Sequence, residues 1–266
     1  MINFLEVPGG RMAYEVRGTG QPVVLVHGHP FNRSMWGAQV AFLACSYQVI
    51  TYDLRGYGQS SGASTLVPLE RFAEDLEALR VALQLDFFAL AGLSMGGQIA
   101  LEYYRQHPDR VRALLLLDTF ATLDSPARRQ DRLDTAAQLE QLGMAQHARE
   151  VLPKMVAPAT LREQPAVAEA VLTMMQTTPP QGAAGALRGR AERRDYTSML
   201  AKISVPTLVL VGRDDVFTPV ADAVFMQERI AGAQLCVVEG AGHLPPMETP
   251  RECNAALNQF LRSCLT

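Results

Sequence analysis

The chain has 266 residues, of which 48% are hydrophobic and 19% are charged, and its formal net charge is −3. Since domains commonly have roughly 100 to 200 residues, this length allows one large domain or two small ones. The composition excludes a disordered or collagen-like chain, and the lack of a basic excess argues against nucleic acid as a partner. Every apolar run is far shorter than the roughly 18 residues of a membrane helix, so no membrane association is predicted.

The N-terminus and the cysteines favour a cytoplasmic protein. Residues 1–8 contain Glu6 and have no basic segment followed by an apolar one, so no secretory signal is visible. The four cysteines are far apart and fit neither a zinc motif nor a disulfide framework, so we expect free thiols. These cysteines are Cys45, Cys236, Cys253 and Cys264. The sequence leaves open whether the chain forms a homo-oligomer.

The first predicted element is a β-hairpin, because two short extended runs, residues 3–7 and 11–16, flank the turn Pro8-Gly9-Gly10. Six later runs are rich in leucine or β-branched residues, which is typical of strands buried on both faces. These runs are Pro22–Val26, Gln48–Tyr52, Phe87–Ala91, Val111–Leu117, Thr207–Val211 and Gln234–Val238.

Helical patterns alternate with these strands. They cover residues 69–83, 95–105, 221–230 and 252–261. Alternating strands and helices favour right-handed crossovers and a mostly parallel sheet with helices on both faces. The predicted fold class is therefore α/β, with a doubly wound sheet and an antiparallel N-terminal hairpin.

Residues 124–200 interrupt this alternation, since they contain no strand pattern but have helical periodicity. We predict that they form a helical cap inserted into a core domain of residues 1–123 and 201–266. Prolines divide the insertion into short helices, and Gly182–Gly189 is expected to be a flexible turn.

The composition of the insertion predicts how it selects a substrate. Its ten arginine and lysine residues nearly balance its nine acidic residues, so no strong charge selection is expected. Its alanine, leucine and methionine content predicts a pocket for a small to medium, mainly apolar group.

The sharpest motif is Gly92-Leu93-Ser94-Met95-Gly96, which directly follows one predicted strand and directly precedes a predicted helix. A nucleophile elbow requires this context. Glycines two residues to either side of Ser94 leave room for the tight turn. The turn places Ser94 at a helix N-terminus, where free amides and the helix dipole stabilise negative charge. We therefore predict Ser94 as the nucleophile and the Met95 amide as an oxyanion donor.

A serine nucleophile needs a base and an orienting acid, which follow it in the order acid, then histidine. Asp215 and His243 each come after a predicted strand, and open α/β sheets place their sites at these carboxyl ends. Asp215 is preferred to its neighbour Asp214, whose position suits bracing of the turn. Asp118 remains an alternative acid, although anchoring the start of the insertion by hydrogen bonds is its favoured role.

A second oxyanion donor is expected from the segment His27-Gly28-His29-Pro30. The amide of His29 is the candidate, because Pro30 has no amide hydrogen. His27 is expected to be structural. The His29 side chain either lines the pocket and bonds a polar substrate group or points to solvent. Three aromatic residues near the strand ends are predicted to line the substrate pocket: Phe31, Trp36 and Phe120.

Taken in order, these motifs resemble the α/β-hydrolase superfamily over nearly the whole chain. The resemblance rests on His27–Pro30, Asp53–Ser60, the elbow at Ser94, Gly212–Pro219, and Gly242-His243 followed by Glu248 and Pro250. Within the superfamily the chain is similar to small capped serine esterases, to enzymes such as the 3-oxoadipate enol-lactonases, and to carbon-carbon bond hydrolases.

The resemblance implies that Asp53 and Arg55 stabilise a loop beside the site, with a buried ion pair as the preferred interpretation. A serine at position 94, rather than an aspartate, argues against a dehalogenase or an epoxide hydrolase.

The predicted activity is hydrolysis of a small-molecule carboxylic ester or lactone through an acyl-enzyme, with Ser94, His243 and Asp215 as the triad and neither metal nor cofactor. Two alternatives stay open. The same triad serves carbon-carbon bond hydrolysis or perhydrolysis, and the same fold serves small-ligand receptors.

Overall fold

A single eight-stranded sheet organises the computed structural model, which describes residues 1–265. The order of the strands across the sheet is β1-β2-β4-β3-β5-β6-β7-β8. Their bounds are β1 Ile2–Val7, β2 Gly10–Arg17, β3 Pro22–Val26, β4 Gln48–Tyr52, β5 Phe88–Leu93, β6 Val111–Leu117, β7 Thr207–Gly212 and β8 Gln234–Val238.

The pairing of the strands confirms the predicted hairpin and the mostly parallel sheet. Strand β2 pairs antiparallel with both β1 and β4, and all pairings from β4 through β3 to β8 are parallel. The chain runs outward from β3 to β4 and then returns past β3 to β5. This reversal opens a crevice at the carboxyl ends of the strands, where α/β sheets place their sites.

Helices cover both faces of the sheet. Their bounds are α1 Gly37–Leu43, α2 Leu69–Ala82, α3 Met95–Gln106, α4 Pro126–Leu142, α5 Met144–Met155, α6 Pro158–Glu163, α7 Pro165–Gln176, α8 Pro180–Ala191, α9 Thr197–Leu200, α10 Val220–Gln227, α11 Pro245–Glu248 and α12 Pro250–Cys264. Helix α1 and the 3-10 turn Arg33–Trp36 before it were not predicted. Within residues 1–265, no helix has the length and apolar character needed to cross a membrane.

The sheet separates two hydrophobic cores. Along β3 the side chains alternate, so that Val24 and Val26 face the core under α2, α3 and α10, whereas Val23 and Leu25 face the core under α1 and α12. Strands β3, β5 and β7 are buried on both faces and are therefore nearly continuous apolar runs without polar alternation. This explains why their positions could be read from the sequence.

Helices α4 to α9 all lie between β6 and β7, in the segment predicted as the cap. Four prolines stand at the first residue of a helix, where the missing amide hydrogen costs nothing. They are Pro126, Pro158, Pro165 and Pro180. Pro153, in contrast, lies inside α5 and does not divide the segment as expected.

The prediction of a flexible turn at Gly182–Gly189 is wrong, because these residues form most of α8. Gly182, Gly185 and Gly189 lie on one side of the helix and touch the backbone of residues 56–67. A Cβ atom at any of the three would lie only 1.8–2.1 Å from a backbone oxygen of that segment. Close packing of α8 on the core therefore requires glycine at these three positions. This requirement outweighs the low helix propensity of glycine.

We expect Gly185→Ala to destabilise the protein. In an open helix this change stabilises by roughly 0.5 to 1 kcal/mol, but here the new methyl group would lie 2.1 Å from the backbone oxygen of Ser64. Overpacking typically costs about 1 to 3 kcal/mol, which corresponds to a melting temperature lower by about 2 to 10 °C.

Thermal unfolding followed by circular dichroism measures this effect, with Gly37→Ala as the matched control. Gly37 begins α1 with helical dihedral angles, and a Cβ there would meet nothing within 4 Å. A Gly185→Ala protein as stable as the control would show that α8 does not pack tightly on the core.

Candidate active site

Ser94 occupies a strained turn between β5 and α3, with φ 56° and ψ −115°. The turn is crowded: a Cβ at Gly92 would lie 2.2 Å from the oxygen of Gly96, and one at Gly96 would lie 2.3 Å from the oxygen of Val26. Thr119 donates a hydrogen bond of 2.7 Å to the carbonyl of Ser94 and so holds the turn in place. This strand, turn and helix have the geometry that a nucleophile elbow requires.

His243 and Asp215 form a buried hydrogen-bonded pair, in which Nδ1 donates to Oδ2 over 2.7 Å. The other oxygen of Asp215 accepts from the amides of Phe217 and Thr218, and the Thr218 hydroxyl donates to Oδ2. Burial alone would raise the pKa of Asp215, but His243 and these donors lower it overall. The carboxylate therefore stays ionised and fixes the imidazole ring with Nε2 free.

Asp118, the alternative acid, follows β6 and accepts a 2.8 Å hydrogen bond from the amide of Gly212. It therefore anchors the end of β7, not the start of the insertion as expected. Burial, together with the negative charge of Asp215, raises the pKa of Asp118 well above its ordinary value. Its second oxygen is buried and has no hydrogen-bond partner among residues 1–265. A proton on that oxygen would agree with both the raised pKa and the lack of a donor to this oxygen.

Asp214 is exposed, and its amide donates to the carbonyl of Ala241, which agrees with a role in the turn. Asp118, Asp215 and His243 also form the one group of three side chains in residues 1–265 whose ligand atoms, within 4.8 Å of one another, could hold a metal ion. The bond between His243 and Asp215 already uses one nitrogen and one oxygen of this group. This bond is compatible with acid-base chemistry, and the absence of a metal stays a prediction.

Two backbone amides are free to bind an oxyanion. Among residues 1–265, neither the amide of His29 nor that of Met95 donates to another protein group. The His29 ring is buried, lines the cavity above Ser94 and bonds the Tyr57 hydroxyl through Nδ1 over 2.8 Å. Of the two predicted positions for this ring, the one facing solvent is therefore wrong. Burial and nearby arginines keep its pKa well below the usual value, so the ring is neutral.

His27 has the structural role that was expected. Its Nδ1 donates to the carbonyl of Gly28 over 2.8 Å, and its Nε2 accepts from the amide of Leu54 over 2.9 Å. Burial lowers the pKa of His27 to about 4. The neutral ring therefore joins the loop after β3 to the loop after β4.

The ion pairs of Asp53 and Arg55 differ from the expected one. Asp53 pairs with Arg33, and Arg55 pairs with Asp75 at 2.5 Å, so the two residues do not pair with each other. The partners come from the 3-10 turn before α1 and from α2. Both elements are distant from the motif in sequence, which is why the motif alone could not identify them.

A cavity of about 360 Å³ lies above Ser94 and is lined by His29, His243 and Phe120. Phe31 and Trp36, also predicted to line it, do not. Both are completely buried in the hydrophobic core on the α1 and α12 side of the sheet, which also includes side chains of α5 and α7.

The wall of the cavity is apolar in part, as predicted, but it also contains unexpected charge. The apolar side chains are Phe120, Val151, Met155, Leu187 and Phe217, and the charged ones are Arg128, Arg132, Lys154, Arg190 and Asp131. The net charge of the cap is close to zero, so its composition did not reveal these charged side chains in the cavity wall. One sequence pattern could have indicated the positive charge: Arg128 and Arg132 are four residues apart, which places both on one face of α4.

Glu248 joins the cap to the loop of the candidate base. Its Oε2 accepts from the amide of Ala157 over 2.6 Å and from the hydroxyl of Thr160 over 2.7 Å, both in the cap. Its Oε1 accepts 3.0 Å bonds from the amides of Gly242 and Leu244, which flank the histidine. The sequence motif had included Glu248, but it had not predicted this role.

Comparison with known proteins agrees with this geometry. The sequence model of the family described as alpha/beta hydrolase fold matches residues 21–250. Among curated proteins, 3-oxoadipate enol-lactonase 2 of Acinetobacter baylyi is 29% identical, with 87% of this chain and 85% of that protein covered.

Solved structures extend the comparison. A malate-bound thermophilic esterase from Thermogutta terrifontis has 40% identity and a TM-score of 0.95, with 100% of this chain and 98% of that chain covered. The enol-lactonase from Burkholderia xenovorans LB400 has 26% identity and a TM-score of 0.92, covering 98% of this chain and 100% of its own. Since the family match spans most of the sequence and the fold agrees throughout, the chain belongs to the alpha/beta hydrolase family.

Proposed function

We propose that the protein hydrolyses a carboxylic ester or lactone of a small molecule, with Ser94 as nucleophile, His243 as base and Asp215 as orienting acid. One observation carries the proposal: Ser94 and His243 line the same cavity, and the histidine is held by Asp215 through Nδ1. The relatives described as esterases and enol-lactonases support ester or lactone chemistry. The proposal keeps the cytoplasmic location expected from the sequence.

In the first half of the reaction, the hydroxyl oxygen of Ser94 attacks the carbonyl carbon while Nε2 of His243 takes the hydroxyl proton. The carbonyl oxygen becomes an oxyanion, which the free amides of His29 and Met95 stabilise. The bond to the leaving oxygen breaks as His243 returns the proton to it. An alcohol leaves, or the lactone ring opens, and the acyl group stays on Ser94.

In the second half, His243 takes a proton from water, and the hydroxide attacks the acyl carbon. The oxyanion forms again in the same place. Its collapse breaks the bond to Ser94, which recovers its proton from His243, and a carboxylic acid is released. Asp215 keeps its negative charge throughout and stabilises the imidazolium that forms in each half.

Active-site labelling combined with a substrate screen tests this proposal. We expect a fluorophosphonate probe to label Ser94, as located by peptide mass spectrometry, and not to label a His243→Ala protein. We also expect repeated turnover of p-nitrophenyl acetate or of a lactone. Failure to label Ser94, or full activity in His243→Ala, would contradict the assignment.

The same screen separates the alternative activities. Cleavage of β-diketones without esters or lactones would indicate a carbon-carbon bond hydrolase, and peracid formation with hydrogen peroxide would indicate a perhydrolase. A single stoichiometric burst without turnover would indicate a small-ligand receptor.

A further inference from the structure

The cavity above Ser94 contains more positive charge than its surroundings neutralise. Four of its lining residues are basic, and one, the exposed Asp131, is acidic. Asp124 forms ion pairs with two of these arginines, at 2.7 Å from Arg132 and 3.4 Å from Arg128. The same carboxylate also pairs with Arg193 at 2.5 Å. One carboxylate therefore balances three guanidinium groups.

Arg190 is the most unusual member of this group, since it is only 5% exposed and lies at the last turn of α8. Its Nε donates to the neutral oxygen of Gln98 over 3.1 Å. Over residues 1–265 its side chain makes no other hydrogen bond and no ion pair. Burial, followed by the charges of Arg132 and Arg193, lowers the pKa of Arg190 well below its usual value.

A buried cation without an anion is costly, and proteins normally pair such groups. At Arg190 the two terminal nitrogens are left without a partner at the wall of a cavity that also contains the candidate nucleophile. A guanidinium group presents parallel donors that match the two oxygens of a carboxylate. The missing anion is therefore one that enters with the substrate.

We propose that the substrate carries a free carboxylate, bound by Arg190, in addition to the ester or lactone group attacked at Ser94. This inference rests on the proposed function and names its substrate class. A cavity of about 360 Å³ is at the small end of ligand sites, so the class is half-esters of short dicarboxylic acids and small lactones with a carboxylate side chain. The apolar wall contacts the carbon chain between the two groups.

A matched pair of substrates tests the proposal. Monomethyl succinate and dimethyl succinate offer the same ester, but only the first has a carboxylate. We expect the wild-type enzyme to hydrolyse the monoester with a kcat/KM at least roughly tenfold higher, as one charge-assisted hydrogen-bonded pair would give. In Arg190→Gln the kcat/KM for the monoester should fall roughly 10- to 100-fold, mainly through KM, while that for the diester stays nearly unchanged, so that the preference is lost. Arg190→Lys, which keeps the charge without the fork, should be intermediate.

Arg188→Gln is the matched control, because Arg188 lies on the same helix but outside the cavity and pairs with Glu140. It removes the same charge and should leave the preference unchanged. Equal hydrolysis of both succinate esters by the wild-type enzyme, or equal loss of preference in Arg188→Gln and Arg190→Gln, would overturn the proposal.

Binding of succinate itself, measured by calorimetry on Ser94→Ala, separates this inference from the proposed function. We expect binding that weakens roughly 10- to 100-fold when Arg190→Gln is added. If neither ester is hydrolysed but succinate binds in this Arg190-dependent way, hydrolysis is wrong and the carboxylate site stands. If both esters are hydrolysed without preference and succinate does not bind, the hydrolase stands and the carboxylate site is wrong.

Discussion

Replacement of Ser94 by alanine is expected to abolish turnover of esters, with kcat lower by about 10⁶-fold, as for loss of the nucleophile in other serine hydrolases. His243 and the two amides would remain, but without the Ser94 hydroxyl no oxygen atom could attack the carbonyl carbon and form the acyl-enzyme. A residual rate above that of water should persist, since the oxyanion site and the cavity remain. Steady-state kinetics with p-nitrophenyl acetate measure the loss.

The matched control for this change is Ser34→Ala, at an exposed serine of the 3-10 turn before α1. It should keep wild-type activity. Thermal unfolding of both variants checks that Ser94→Ala is folded, and we expect a melting temperature close to that of the wild type because alanine can keep the same backbone turn. Turnover by Ser94→Ala close to that of the control would place the nucleophile elsewhere.

The second large effect concerns the two carboxyl groups beside His243. Asp215→Asn is expected to lower kcat by about 10⁴-fold, because an amide cannot hold the imidazole in the required tautomer. Asp118→Asn should cost only about tenfold or less, which is the value of one neutral hydrogen bond. An asparagine can still accept from Gly212, and like a protonated Asp118 it has no negative charge to be repelled by Asp215.

Parallel kinetics of the two variants distinguish the acids, since both changes convert a carboxyl group to an amide of nearly the same shape. Burial acts to raise the pKa of both carboxyl groups, but the pKa of Asp215 is lowered overall because His243 and several hydrogen-bond donors stabilise its charge, whereas the negative charge of Asp215 raises the pKa of Asp118 further. If Asp118→Asn lost more activity than Asp215→Asn, the acid would lie at the end of β6.

Much of the fold could be predicted because most strands are short runs dominated by leucine and β-branched residues. β3, β4, β6 and β8 begin and end where the sequence indicated. Helix α1 was missed because it is short and follows a 3-10 turn that Asn32 caps. The helix at Gly182–Gly189 was missed because its glycines are determined by contact with a distant segment, which a local propensity does not contain.

The residues of the candidate site were likewise predictable only where a local sequence pattern identified them. Ser94 and the choice between Asp214 and Asp215 follow from turns next to strand ends, which are local patterns. Arg190 could not be found in this way, because its significance lies in being buried without an acidic partner, and burial depends on how the cap folds onto the core. Pairs such as Asp53 with Arg33 were likewise hidden by their separation along the chain.

The contacts of Glu248 and of the α8 glycines attach the cap to the core at two separate places. Residues 155–160 are held by the loop of the base, where His243 itself donates its amide to Met155, whereas α8 is held by residues 56–67. Lifting the cap as one rigid lid would therefore displace His243, the proposed base, from Asp215.

The cavity wall draws residues from α5 beside the first place of attachment and from α4 and α8 beside the second. Between α4 and α5 lies Gly143, whose positive φ of 76° and open surroundings suit a joint. The entrance for substrate is therefore expected to be a cleft between these two separately attached parts of the cap, and its widening is expected to leave the contact between His243 and Asp215 in place.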